Sequence, residues 1–501
     1  MTGRVEHIVI VGGGSAGWMA AAGLSRYMRN MPVRITVVES DEIGTIGVGE
    51  ASVPLLAVFN SLVGLHERDF IQATQGTFKL GIEFAGWNRP GESYLHPFSP
   101  YGQSLGVCDF HQYWLKARAA GYAAPLEDFN LNAALARDSR FNLRSSDGQS
   151  PMSILSYAYH FDAGLYARNL RTLAQSYGVN RVEGRIVEVE QQPETGFITG
   201  VKLASGQRVE GDFFVDCSGF RALLIEGALE AGFNDWTGLL PCDSAVAVPS
   251  ARTEPLLPFT RATAREAGWQ WRIPLQHRTG NGYVYSSRHI SDDAAAATLM
   301  ANLDGRPLGD PRIIRFRTGR RSKAWVKNCV AVGLSAGFLE PLESTSIHLI
   351  QKGVMKLLTF MPSASWSHAL ADEFNRQTAF DYEEVRDFLV LHYKANGREG
   401  QPFWDALRNN PVSDTLQARI DLFRDSGRVF IDDRELFKLP SWVTVLTKQG
   451  IFPRDYDPMA EAVSTAEITG RLEQIRMILN RTAQAQPTHA DFIARNCKTF
   501  S

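Results

Sequence analysis

A glycine run near the start of the chain restricts the fold more than any other feature. "HIVIVGGGSAGWMAAAGLSRYM", from His7 to Met28, takes a short apolar strand through Gly12-x-Gly14-x-x-Gly17 into a helix from about Ser15. "VRITVVES" follows as a second strand and carries Glu39, 22 residues after Gly17. Strand, glycine turn, helix and strand open a βαβ unit with dinucleotide spacing. The glycines permit a tight turn and close backbone approach, so a pyrophosphate rests on the helix N-terminus and the acid meets a ribose hydroxyl. Candidate binding residues are therefore Gly12, Gly13, Gly14, Ser15, Ala16, Gly17 and Glu39.

Composition then limits the partners. A chain of 501 residues exceeds one ordinary core, so two or three packed units are expected. Hydrophobic residues make up 44% and charged residues 21%, the balance of a globular protein. A formal net charge of -2 gives no bulk attraction to nucleic acid or to an anionic membrane. Five cysteines, none in a CxxC pair, argue against a disulfide framework or a metal site and suit a reducing cytoplasm. The uncharged stretch from Ile8 to Ser25 imitates a signal or membrane span, but its three consecutive glycines make a poor membrane helix. A soluble, cytoplasmic protein is expected.

Three later stretches bear on the choice between FAD and NAD. "YARNLRTLAQSYGVNRVEGRIVEVE" reads as a helix and a strand. "GFITGVKLASGQRVEGDFFVDCSGF" reads as a hairpin, and "NCVAVGLSAGFLEP" as a strand ending at Gly333. That order resembles the FAD-dependent monooxygenases, in which the last strand-to-helix turn meets the flavin; a generic α/β sheet is the alternative. A single GxGxxG gives no indication of a second site for NAD(P)H. After about Pro362 helical patterns dominate. The last of them starts with a capping box, Ser464-x-x-Glu467, and carries Ile468, Leu472, Ile475 and Leu479 on one stripe. The expected fold is α/β: a Rossmann-like, monooxygenase-type FAD module over residues 1–350, with a substrate-site insertion at about 88–160. A mainly helical subdomain over 351–501 would cover the substrate.

"GTFKLGIEFAGW", from Gly76, sets Lys79 and Glu83 among Phe78, Leu80, Ile82, Phe84 and Trp87. Lysine in such a strand ordinarily snorkels its head to solvent. Three further stretches keep it company: "GVGEASVP" (Gly47 to Pro54), "GWQWRIP" with Trp269-x-Trp271-x-Ile273-Pro274, and "FLEPLESTSIHLI". Together with the fingerprint they resemble the flavin-dependent halogenases of the tryptophan and indole type, over nearly the whole chain. In the last stretch Phe338, Pro341 and Ser344 match the family's FxxPxxSxG pattern, and Ser346 stands where glycine is usual.

The resemblance implies an FAD enzyme that uses reduced FAD, dioxygen and chloride or bromide to halogenate an electron-rich aromatic. A separate flavin reductase would supply the reduced cofactor, and a homodimer is a candidate assembly. Lys79 matches the catalytic lysine that hydrogen-bonds or captures hypohalous acid and aims it; desolvation would make its neutral amine more available. Glu343 matches the carboxylate that orients the oxidant and takes the ring proton, with Glu340 as a structural or solvated neighbour. Backbone amides of Thr345 and Ser346 match the halide site, provided Ser346 is not left-handed. Trp269 and Trp271 match the pair that keeps substrate off the flavin; otherwise they are core aromatics. His96 and Phe98, two apart in "YLHPFSPYG", match the aromatics that stack on an indole. Gly49, Ala51, Ile186, Gly333, Leu334 and Ile347 match further cofactor contacts. The stretch "FIDDRELFKLPSWVTVLTKQG" does not clearly reproduce the cluster that holds free tryptophan in the family, so indole or an indole derivative fits better. The alternatives are free L-tryptophan as substrate, or an aromatic hydroxylase, which needs no lysine. Trp404 and Trp442 are read as core.

Overall fold

The computed structural model describes residues 5–42, 49–102, 108–362 and 367–497. The chain forms two compact units, each assembled from three separated segments. Unit 1 comprises 1–76, 161–243 and 315–383, and unit 2 comprises 77–160, 244–314 and 384–501. The units therefore interleave along the chain, where the sequence suggests one cut near residue 350.

Unit 1 is organised by a sheet of six strands. Those used below are β1 (His7–Val11), β2 (Arg34–Glu39), β3 (Asn180–Glu183), β4 (Phe213–Asp216), β5 (Trp325–Val326) and β6 (Cys329–Ala331), and their order in space is β5-β6-β4-β1-β2-β3. All neighbours run parallel except β5 against β6. β1 is buried along its whole length, as an unbroken apolar run in a parallel sheet demands. Helix α1 (Ser15–Met28) follows β1, and α2 (Ser346–Thr359) packs on it so closely that a Cβ at Gly23 would stand 2.8 Å from Val354.

The glycine spacing has a direct steric cause. Gly12 has φ +111°, and a Cβ there would stand 2.2 Å from the Cys217 carbonyl oxygen. A Cβ at Gly17 would stand 1.8 Å from the carbonyl oxygen of Gly12. The Cys217 loop is itself fixed by buried Asp216, whose carboxylate accepts from the backbone N–H groups of Ser218, Leu224 and Ile225.

Unit 2 is built on a mainly antiparallel sheet. In it Ser244–Ala251, Arg278–Tyr285, Gly268–Pro274, Thr260–Arg265, Gly81–Ala85 and Ser93–Pro97 follow one another in space. A short ladder elsewhere in the unit pairs Thr77 with His160 and Lys79 with Ala158. The C-terminal helices Pro402–Asn409, Asp414–Ser426, Leu439–Lys448, Thr465–Gln484 and His489–Asn496 supply the helical part. Ser464 caps the fourth of these, accepting from the Glu467 N–H at 3.2 Å, and Ile468, Leu472 and Leu479 are buried on its inner stripe. Trp404 and Trp442 are fully buried core residues. Among the described residues no helix is long and apolar enough to cross a membrane.

Candidate active site

The dinucleotide residues of unit 1 come together around the start of α1. Gly14 is its N-cap and has no side chain to occupy the first-turn amides, which are left for an anionic group. Gly333 has φ +78°, and a Cβ there would stand 2.7 Å from Cβ of Ala16, so the turn after β6 lies against the first turn of α1. Leu334 is half-buried in that turn and Ile347 is buried at the start of α2. Ile186 is half-buried at the head of the strand Ile186–Gln191. Gly49 and Ala51 form a short strand with Glu50 between them. Gly47 and Val48 of the expected flavin loop lie outside the described residues. Burial raises the Glu50 carboxyl to about 7.

Glu39 lies beside the glycine loop, as its spacing predicts. Its carboxylate accepts from Trp18 Nε1 at 3.2 Å and pairs with Arg171 and Arg181. The cradle fits a dinucleotide: Gly12, Gly17 and Gly333 let its turns close on one another where a Cβ would clash, and no side chain caps the amides at its helix end.

The halide segment is a tight corner. Pro341–Glu343 is a 3₁₀ turn, Ser344 is left-handed at φ 61° and ψ 37°, and Thr345 holds the N-cap position of α2 without a side-chain capping bond. The left-handed residue is therefore Ser344. Ser346 begins the right-handed helix, so serine in place of glycine strains nothing there. Glu343 is buried at 1% exposure, so it is not a surface acid. Glu340 is equally buried, so of the two expectations for it the solvated one is wrong.

In unit 2, Lys79 is completely buried, with its ammonium 5.1 Å from the centre of the Phe98 ring. The head does not snorkel. Strand alternation puts Thr77 and Lys79 on one face and sends Phe78 to the other, where it stacks on Phe141 at 4.2 Å. His160, opposite Thr77, shares the lysine's face. Thr77 donates to the Pro274 carbonyl at 2.7 Å, so it accepts from His160 Nδ1–H; His160 Nε2 then accepts from Thr260 at 2.9 Å. Burial, then the Lys79 charge, holds that imidazole neutral. Sequence reading missed His160. Its signal was a lone histidine in the apolar run "YAYHF".

His96 and Phe98 have different surroundings. Phe98 meets Lys79, whereas buried His96 packs among aromatics, 5.7 Å from Phe388 and 6.3 Å from Phe437 between ring centres. Trp269 and Trp271 project from one face of Gly268–Pro274, both buried, with ring centres 6.3 Å apart. Trp271 lies over Gly282, where a Cβ would stand 2.1 Å from its ring. Glu83 is half-buried and pairs with Arg261, its register partner on the neighbouring strand. Among the described residues no group of three His, Cys, Asp or Glu side chains is placed to hold a metal ion.

Comparison with known proteins identifies the family. The tryptophan halogenase family matches residues 7–465. Tryptophan 7-halogenase RebH of Lentzea aerocolonigenes is 36% identical over 446 residues, covering 85% of this chain and 83% of its own. Among solved structures, the flavin-dependent halogenase BrvH of Brevundimonas sp. BAL3 is 48% identical with a TM-score of 0.95, covering 98% of this chain and 99% of its own. The flavin-dependent halogenase Xcc4156 of Xanthomonas campestris is 46% identical with a TM-score of 0.96, covering 99% of each chain.

Proposed function

Since the chain belongs to the tryptophan halogenase family, we propose that it halogenates indole or an indole derivative through hypohalous acid directed by Lys79. It is a flavin-dependent halogenase, and FAD and halide are its cofactor and co-substrate. Bound FAD, when reduced, activates dioxygen so that halide is oxidised. A separate flavin reductase delivers the reduced cofactor, and the enzyme works in the cytoplasm.

The chain's own residues then have distinct tasks. The glycine turn and Gly333 seat the cofactor, and the uncapped amides at Thr345 and Ser346 hold the halide by donors rather than by a formal charge. Trp269 and Trp271 fill space that an aromatic substrate would otherwise take. Lys79 donates to the oxidant and aims its halogen, while Glu343 accepts the proton released from the ring. Phe98 and His96 give the indole aromatic surfaces.

One observation carries the assignment: an ammonium with no solvent exposure, set over a half-buried aromatic ring. A cation that had only a surface role would keep its head in water. The test is incubation with indole, FAD, a reductase system and bromide, followed by mass analysis of products. A brominated product is expected; hydroxylated product, or none across a panel of indoles, overturns the reading. Lys79→Ala is expected to lose halogenation while retaining FAD, and Glu343→Gln to lose most turnover but not all.

A further inference from the structure

Among the described residues of unit 1, three buried side chains in one helical row leave polar atoms without a hydrogen-bond partner in the protein. They are Thr345, His348 and Gln351, exposed by 0%, 3% and 5%. Thr345 Oγ1, His348 Nδ1 and both amide atoms of Gln351 are fully enclosed and without a partner. Buried polar atoms are almost always satisfied, and each exception costs about 1–3 kcal/mol. Four orphaned atoms on one helix call for a ligand.

Their spacing shows what kind. Positions i, i+3 and i+6 lie along one slowly turning face of α2, about 4.5 Å apart in rise, and the row begins at the helix N-terminus. Each side chain offers an N–H or O–H donor, and none carries charge: burial holds the His348 imidazole at about 4, hence neutral near pH 7. The charged groups around His348 are Lys352, Lys356 and Asp381. Both lysines pair with the one aspartate, at 3.3 and 2.6 Å, which leaves an excess positive charge. Neutral donors, with an excess positive charge near His348, suit a monovalent anion that must enter and leave, since charged partners would trap it. The acceptor end of Gln351 needs a donor, which a halide does not supply and a water travelling with the ion would.

We propose that Thr345, His348 and Gln351 form a track of halide-holding positions that feeds chloride or bromide, with its water, to the N-terminus of α2. The proposal rests on the reading that the halide acts beside the Thr345 and Ser346 amides. Nothing in the chemistry of those amides requires the track, so the two claims fail separately.

Bromide is the probe. Crystals of the FAD-loaded enzyme soaked in bromide are expected to show anomalous peaks beside His348 and Gln351 in addition to one at the Thr345 and Ser346 amides. A peak at the amides alone overturns the track and spares the halide site. Peaks at neither overturn both. In solution, Gln351→Leu is expected to raise the bromide KM about tenfold, more than it changes kcat, the scale of one lost hydrogen bond to an ion. The same variant is expected to melt no lower than the parent, because it removes orphaned atoms. Gln351→Glu keeps the shape and adds a negative charge, so its bromide KM rises further. An unchanged bromide KM in both variants overturns the proposal.

Discussion

Replacing Gly333 with alanine tests whether the turn after β6 seats the cofactor. The backbone there is left-handed at φ +78°, which costs an L-residue about 1–2 kcal/mol. The added methyl would also stand 2.7 Å from Cβ of Ala16 and 3.4 Å from Ile350. Carbon atoms pack at about 3.5–4.0 Å, so the turn must retreat from α1 by roughly 1 Å, at a further cost of about 1–3 kcal/mol. Gly206→Ala is the control: its φ is +86°, with nothing within 4 Å of the added methyl. It carries the backbone cost without the clash. Expected outcomes are a loss of about 1–2 kcal/mol for Gly206→Ala with FAD affinity unchanged. Gly333→Ala is expected to lose more, with FAD binding weakened at least about tenfold. Denaturant melts and a fluorescence titration of FAD read both quantities. If Gly333→Ala binds FAD within twofold of the parent, the contact between this turn and α1 does not set the cofactor seat.

Three further outcomes follow from the geometry. Burial pulls His348 and His489 from 6.5 to about 4, so each contributes stability that is complete above pH 6.5 and lost as pH falls through 4. Each loss is about 3 kcal/mol. Glu50, raised from 4.5 to about 7, acts in the opposite sense by a similar amount, its contribution being present below 4.5 and lost as pH rises through 7. His160, His111 and His7, also lowered by burial, act in the same sense as His348 and His489, so the fold is expected to be weaker at pH 4 than at pH 7, read by urea melts; a flat profile refutes it. Gly282→Ala drives a methyl into the Trp271 ring, destabilising the fold by about 1–3 kcal/mol. If the tryptophan pair keeps substrate from the flavin, its products gain a hydroxylated component by mass. Glu83→Gln breaks a partly exposed pair with Arg261, so less than about 1 kcal/mol and no halogenation rate should be lost; a large rate loss would make Glu83 part of the chemistry.

The sequence made the fold legible where one backbone constraint admits one residue type. Gly12 and Gly17 could be placed from spacing because a Cβ at each would meet a backbone oxygen within 2.2 Å, whereas Gly333 came from the family resemblance. The division into units could not be read the same way. It depends on which strands find one another across gaps of 80 residues or more, and no local pattern encodes that. Burial of charge was equally hidden. Lys79 and Glu83 stand four apart in one apolar run, yet one is enclosed and the other meets Arg261 across a sheet. Only the pairing register separates them.

The serine that replaces the family glycine shows why a motif departure has to be judged by backbone angle rather than by residue name. Glycine is needed where φ is positive, and the positive φ in "LESTS" falls on Ser344. At Ser346 the chain has already entered α2, and helix starts accept serine without strain. What the halide reading requires of residue 346 is an N–H at a helix N-terminus, and serine supplies it as well as glycine does. The same logic picks out His348 and Gln351. As residue names they are unremarkable on a helix. As enclosed groups without partners, on the face that begins at Thr345, they mark where something other than protein must complete the hydrogen bonding.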